Sequence, residues 1–180
     1  MTLQLLTDHI PADVSGWWVS EKYDGVRAIW TGTKLLSRNG KDLKAPAWFT
    51  AGLPANVRLD GELWMGRGTF DKLVSVIQKR GSDWAGIHYM IFDLAESGTF
   101  EERYEKLNSE EIMPYITHLE IVEHWKCDGH KSLKIDEEGI VEEGGEGCVI
   151  RRPGCKYRPG RMGDVIKVKR LTLDVDRWQG

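Results

Sequence analysis

The chain has 180 residues, of which 41% are apolar and 29% charged. This composition excludes a disordered or fibrous protein and fits one globular domain. No apolar run is long enough to span a bilayer, and the N-terminus lacks the features of a signal peptide, so we expect no membrane association and a cytoplasmic location. Three cysteines without paired CxxC spacing argue against a disulfide scaffold or a zinc site. From the chain length we expect a single domain over residues 1–180, and we expect the protein to be a monomer.

Short β-rich runs alternate with amphipathic segments along the chain. In chain order, the predicted strands cover residues 16–23, 26–30, 35–36, 57–65, 87–94, 119–125, 147–152 and 164–170. The predicted helices cover residues 69–80, 100–112 and 132–143. A capping box of Thr99 and Glu102 opens the second helix, and Pro114 ends it. These elements predict an α+β fold of antiparallel sheets with helices on their outer faces.

Turn residues divide the first forty positions into short strands. Asp24-Gly25 and Asn39-Gly40 are both strong turn signals, so we expect a meander here. Lys22 lies at the end of the first strand, two residues before Asp24. It could act as a nucleophile if its surroundings lower its pKa from about 10.4 toward roughly 7–8. A surface lysine in a hairpin is the alternative interpretation of these residues alone.

Charge is distributed unevenly. The formal net charge is −3, yet residues 151–170 contain eight Lys or Arg and one acid, so this stretch carries +7 and the remainder −10. Such a segment is typical of a surface that faces phosphates, with a merely solvated face as the alternative.

Six short motifs follow one another in the order found in the covalent nucleotidyltransferases. They are KYDGVR (22–27), SRNG (37–40), LDGEL (59–63), MIFDL (90–94), EGCVIR (146–151) and IKVKR (166–170). SRNG and its surroundings resemble in particular the small ATP-dependent DNA ligases of bacteria and bacteriophages. The resemblance implies an ATP-grasp-like nucleotidyltransferase domain that seals nicked duplex DNA. RNA ligases and GTP-dependent capping enzymes are the alternatives.

The resemblance also implies which residues bind the nucleotide. Lys22 would form a covalent bond with AMP, Arg27 would hold the ribose, and Glu21 would face the adenine. Glu62 would bond a ribose hydroxyl. Phe92 would stack on the adenine, although its apolar strand alone would suggest a core residue.

Other residues are implied to bind phosphates and metal. Arg38 would meet the phosphate of the nicked strand, Lys167 and Lys169 the α-phosphate, and Arg161 a further phosphate. Glu146 would assist Mg²⁺ or Mn²⁺, with Asp24 as a second candidate ligand.

In the resembled ligases an OB-fold follows the last motif. Eleven residues follow Lys169 here, too few for a five-stranded barrel. We therefore expect no OB-fold. Either the chain is a minimal enzyme in which its own basic surface or a partner protein replaces the barrel, or it is an adenylation-only fragment.

Overall fold

The computed structural model describes residues 3–109 and 116–170, and the chain divides into two compact units. The first unit comprises residues 24–122, and the second combines the chain up to residue 23 with the chain from residue 123 onward. The strands are β1 Trp18–Glu21, β2 Val26–Trp30, β3 Leu35–Ser37, β4 Leu59–Trp64, β5 His88–Leu94, β6 Leu119–Ile121, β7 Trp125–Lys126, β8 Cys148–Arg151 and β9 Val165–Val168. The helices are α1 Ala47–Thr50, α2 Phe70–Gln78, α3 Phe100–Leu107 and α4 His130–Glu142.

The first unit is built on a five-stranded sheet in the order β3-β2-β4-β5-β6. All neighbouring strands are antiparallel except β5 and β6, which run parallel. Because side chains alternate between the two faces of a strand, one face buries Leu59, Leu63, Tyr89 and Ile91 in a common apolar core. The Tyr89 hydroxyl lies 3.0 Å from the carbonyl oxygen of Ala28 and donates into this sheet, which satisfies a buried polar group.

A β-bulge interrupts the pairing of β4 with β5. Gly61 pairs with Ile91, and the residue before Gly61 pairs with Asp93, so Phe92 is the extra residue. The extra residue shifts the alternation of side chains between the two faces of β5. As a result, Ile91 and Leu94, three positions apart, both lie in the core. Phe92 itself is only partly buried and is turned away from that core.

Helix α3 is joined to β5 by a buried ion pair. Arg103 donates from Nε to Oδ1 of Asp93 at 2.8 Å and from Nη2 to Oδ2 at 3.1 Å, and both side chains are 1% exposed. The predicted capping box opens the helix: Glu102 accepts from the Thr99 backbone at 2.7 Å, and its own backbone N–H donates to the Thr99 hydroxyl at 3.3 Å. The hydrogen bond from the Thr99 backbone keeps the pKa of Glu102 below its ordinary value.

The second unit contains a four-stranded antiparallel sheet in the order β7-β1-β8-β9. The segment before β1 extends it, because Thr7 donates to Val165 O at 3.1 Å and accepts from Lys167 N at 2.8 Å. Helix α4 covers one face, where Val19 of β1 and Leu133 of α4 share an apolar core with residues of β8 and β9.

The predicted α+β class is confirmed, and most predicted elements are present within a few residues. Two expectations are wrong. The run 119–125 is not one strand, because β6 pairs in the five-stranded sheet and β7 in the four-stranded sheet. The first forty residues are not a meander, because β1 pairs with β7 and β8 and not with β2.

Smaller differences concern helices. The four-residue helix α1 was not predicted, and it buries Phe49 after Pro46. Helix α3 ends at Leu107, whereas Pro114 lies outside the described residues. The prediction of a single domain stays a prediction. Within the described residues, no helix combines the length and hydropathy needed to cross a membrane.

The turn at Gly25 requires glycine for steric reasons. A Cβ at this position would lie 2.1 Å from the carbonyl oxygen of Leu63 in β4. We predict that Gly25→Ala lowers the free energy of unfolding by about 1–3 kcal/mol, the usual cost of overpacking. Gly139→Ala is the matched control, because Gly139 lies inside α4 with nothing within 4 Å of an added Cβ, and alanine there should stabilise by roughly 0.5–1 kcal/mol. Urea unfolding midpoints measure both, and a Gly25→Ala midpoint at or above that of the wild type would contradict the prediction.

Candidate active site

One carboxylate in the second unit contacts two lysine ammonium groups. Lys22 follows β1, and its Nζ donates to Oε2 of Glu146 at 2.5 Å. Lys169 follows β9, and its Nζ donates to the other oxygen, Oε1. The side chains of Lys22 and Glu146 are each 20% exposed, and that of Lys169 is 42% exposed. Hydrogen bonds between charged partners in such partly buried places are stronger than neutral ones.

Backbone geometry brings these three residues together. The N–H of Lys22 donates to Gly147 O at 2.8 Å, which places the lysine beside the residue that follows Glu146. Gly147 has φ 137°, a left-handed conformation that favours glycine, and a Cβ there would lie 2.3 Å from Val168 O. Glycine at position 147 therefore lets the backbone before β8 lie against the end of β9. Lys169 directly follows that strand.

Three other predicted residues of this unit lie near the cluster in sequence but make different contacts. Lys167, in β9, is 42% exposed and its Nζ is 3.9 Å from Oδ2 of Asp8. Arg161 is exposed and donates from Nε to Leu6 O at 3.2 Å. Glu21 ends β1, paired in register with Cys148.

A buried acid fixes the backbone after Lys169. Glu137 of α4 is 3% exposed and accepts from the N–H of Arg170 at 2.5 Å. Arg170 has φ 53°, an uncommon conformation for a residue with a side chain. The hydrogen bond from Arg170 to Glu137 therefore stabilises the turn that carries Lys169.

In the first unit, Arg27 is held by a buried carboxylate. Its Nε donates to Oδ1 of Asp60 at 2.9 Å and its Nη2 to Oδ2 at 2.5 Å, and the Asp60 side chain is fully buried. This paired geometry fixes the plane of the guanidinium.

The same sheet face presents Glu62 and Phe92. Glu62 pairs in register with Arg27 across β2 and β4. The guanidinium carbon of Arg27 lies 5.4 Å from the centre of the Phe92 ring, within range of a cation–π interaction. The bulge that frees Phe92 from its pairing partner thus leaves an aromatic ring, a cation and an acid on one surface.

The remaining predicted residues of this unit are exposed. Arg38 lies in the turn after β3, where Gly40 N donates to Ser37 O at 2.8 Å. Asp24 precedes β2 at the surface. Nothing in their surroundings tests the roles implied for them.

A family model described as the ATP dependent DNA ligase domain matches residues 12–169. The chain belongs to this family. A DNA ligase of Haemophilus influenzae is 31% identical over 169 residues, which cover 93% of this chain and 63% of that protein. The chain therefore spans less than two thirds of the length of this curated relative.

Solved structures agree with the family. A Lig E DNA ligase is 34% identical with a TM-score of 0.85, covering 94% of this chain and 69% of that one. The DNA ligase-adenylate of Chlorella virus is 23% identical with a TM-score of 0.80, covering 94% and 67%, and shares the fold.

Two residues of this ligase domain escaped sequence reasoning. Asp60 lies in the LDGEL motif two residues before Glu62, but the resemblance assigns a role only to Glu62. Glu137 carries no sequence signal, because its partner is the backbone of a residue 33 positions later.

The residues at Glu146 fit a divalent ion only in part. Among residues 3–109 and 116–170, no three His, Cys, Asp or Glu side chains cluster as metal ligands. Glu146 supplies one carboxylate, and an ion there would need its other oxygens from phosphate and water, which is how proteins commonly bind Mg²⁺.

The cysteine of the EGCVIR motif, Cys148, has a thiol of low reactivity. Burial raises the pKa of the Cys148 thiol to about 12, and the nearby carboxylates of Asp136, Glu137 and Glu21 act in the same direction. Since the thiolate is the reactive form, iodoacetamide at about pH 8 should leave Cys148 unmodified in the folded protein and modify it in urea. Peptide mass mapping measures both states, and equal labelling in the two would contradict the prediction.

Proposed function

We propose that this chain is the catalytic domain of an ATP-dependent DNA ligase that joins nicked duplex DNA through a lysine-bound AMP. The observation that carries the proposal is the contact of Lys22, the lysine of the KYDGVR motif, with a carboxylate that also holds Lys169. Membership in the ATP-dependent DNA ligase domain family supports it.

In the first step the Lys22 amine attacks the α-phosphorus of ATP. An N–P bond forms, the P–O bond to pyrophosphate breaks, and one proton leaves the nitrogen. An ammonium has no free lone pair, so Lys22 must first give up a proton, for which the Glu146 carboxylate oxygen 2.5 Å from its Nζ is the acceptor in contact. Two further steps follow: transfer of AMP to a 5′-phosphate, and attack by a 3′-hydroxyl that expels AMP.

Charge neutralisation at phosphorus would come from the cations of the second unit. Lys169 is released from Glu146 when that carboxylate changes partners, and its ammonium then binds the α-phosphate. Lys167 and Arg161 are proposed as further phosphate contacts. Mg²⁺ or Mn²⁺ held by Glu146, with Asp24 as a second candidate ligand, would supply additional positive charge at the phosphates.

The first unit would hold the nucleoside. Arg27, oriented by Asp60, is proposed to bind the ribose together with Glu62, and Phe92 to stack on the adenine. Stacking of a base on an aromatic ring contributes about 1–3 kcal/mol. Glu21 of the second unit is proposed to face the adenine.

Nicked DNA is the proposed substrate, with Arg38 meeting the phosphate of the nicked strand. DNA is favoured over RNA because two relatives, at 31% and 34% identity, are DNA ligases. A partner protein in place of an OB-fold, a monomeric state and a cytoplasmic location stay predictions.

Removal of the nucleophile tests the proposal directly. We predict that wild-type protein incubated with ATP and Mg²⁺ gains the mass of AMP, and that Lys22→Ala gains none, because the amine proposed to form the phosphoramidate is removed. Lys131→Ala, which removes an exposed lysine of α4, is the control and should label normally. Intact-mass spectrometry measures the adduct in the wild type and in both variants. The same incubations with GTP in place of ATP test which nucleotide is used. Labelling of Lys22→Ala, or selective labelling by GTP, would refute the proposal.

The second prediction concerns the shared carboxylate. Glu146→Gln keeps the shape but removes the carboxylate that accepts a proton from Lys22 and is proposed to hold the metal ion, so we expect AMP-adduct formation to slow by roughly 100-fold or more, as loss of a general base implies. Quenched time courses measure the rate, and Glu142→Gln, at the exposed end of α4, is the charge-matched control. An unchanged rate in Glu146→Gln would contradict the role.

A further inference from the structure

A groove in the first unit carries positive charge that none of the proposed roles uses. It has a volume of about 890 Å³ and lies between the segment after β3 and the end of α2. Four basic residues line it, Lys41 and Lys44 on one side and Lys79 and Arg80 on the other, with Asp42 as the single acid. The lining is therefore +3, in a chain whose formal net charge is −3.

The one acid of the groove is already neutralised. Oδ2 of Asp42 accepts from Lys44 Nζ at 3.0 Å and lies 3.8 Å from Lys34 Nζ, while Oδ1 accepts from the Lys44 backbone at 2.8 Å. The backbone hydrogen bond from Lys44 is the main reason that the pKa of Asp42 lies below its ordinary value. The acid thus stays ionised and bound, and it leaves Lys41, Lys79 and Arg80 to face an anion.

An aromatic ring stands beside these cations. Trp48 is 50% exposed, although its edge packs against Phe49 at 5.6 Å and against His118 at 5.3 Å between ring centres. A large indole held rigid in solvent next to basic side chains is a contact surface for sugars and bases. The floor below it is apolar, with Trp84 only 3% exposed.

The distribution of charge favours an extended polyanion over a small one. A pocket for a single phosphate buries its polar groups around one point, whereas Lys41, Lys44, Lys79 and Arg80 are all exposed and belong to two separate chain segments. Phosphodiester strands carry one charge per nucleotide and are bound by such spaced cations.

We propose that this groove binds the phosphodiester backbone of duplex DNA, with Lys79 and Arg80 on one wall and Lys41 on the other. The proposal rests on the proposed function, which supplies the DNA. It adds a contact site away from the motif residues.

The test measures binding of a fluorescent nicked duplex by anisotropy as salt is raised. Each lost phosphate contact lowers the slope of log affinity against log salt by about 0.9, so Lys79→Ala/Arg80→Ala should reduce the slope by about 1.8 and weaken binding roughly tenfold or more near 0.1 M salt. Lys41→Ala should reduce the slope by about 0.9 from the other wall. Lys72→Ala/Lys131→Ala removes two exposed charges outside the groove and should leave the slope near that of the wild type.

Each result decides the question. Groove variants that keep the wild-type slope, or lose no more than the control pair, overturn the proposal, as does a wild-type protein that binds no duplex at about 50 mM salt. Thermal unfolding of each variant identifies loss of folding, and the two walls provide independent variants. The AMP adduct on Lys22 is measured in the same protein samples without DNA. A missing adduct refutes the proposed function, whereas the dependence of DNA affinity on salt tests the groove independently.

Discussion

The carboxylate of Glu146 is the contact on which the arrangement of the second unit depends. It pairs with Lys22 at the end of β1 and Lys169 at the end of β9, so one acid joins two strand ends of the sheet. Without it, two ammonium groups would repel each other in a partly buried place, where charges are screened less than in water. Gly147 and Glu137 support this contact, the first by permitting close backbone approach and the second by holding the turn after Lys169.

In the first unit, polar groups lie on one face of a sheet whose other face packs against the apolar core. Asp60 is fully buried and would be costly alone, but two hydrogen bonds from Arg27 satisfy it. The bulge at Phe92 then turns one aromatic ring out of the apolar strand toward that guanidinium. Both units thus carry paired charges: Arg27 with Asp60 in the first, and Lys22 and Lys169 with Glu146 in the second.

Local patterns in the sequence predicted much of this fold, whereas long-range pairing stayed hidden. The capping box at Thr99 and Glu102 could be recognised because both its partners lie within one turn. The division of 119–125 between two sheets could not, because alternation fixes which side chains share a face but not which strand lies alongside. The motifs predicted roles for Lys22 and Glu146, and the bond between them required coordinates, since 124 positions separate the pair.

The pairing of β1 with β8 has a consequence for how the protein is made. Glu21 pairs with Cys148, and residues 22–147 lie between the two partners in the chain, including the whole of the first unit at residues 24–122. Chains grow from the N-terminus at about 5–20 residues per second, and compact units can fold as they emerge. The first unit is continuous in the chain and can fold early, while β1 pairs only with strands that are made later. During that interval Lys22 lies in the growing chain without Glu146, the carboxylate that accepts its hydrogen bond in the folded protein.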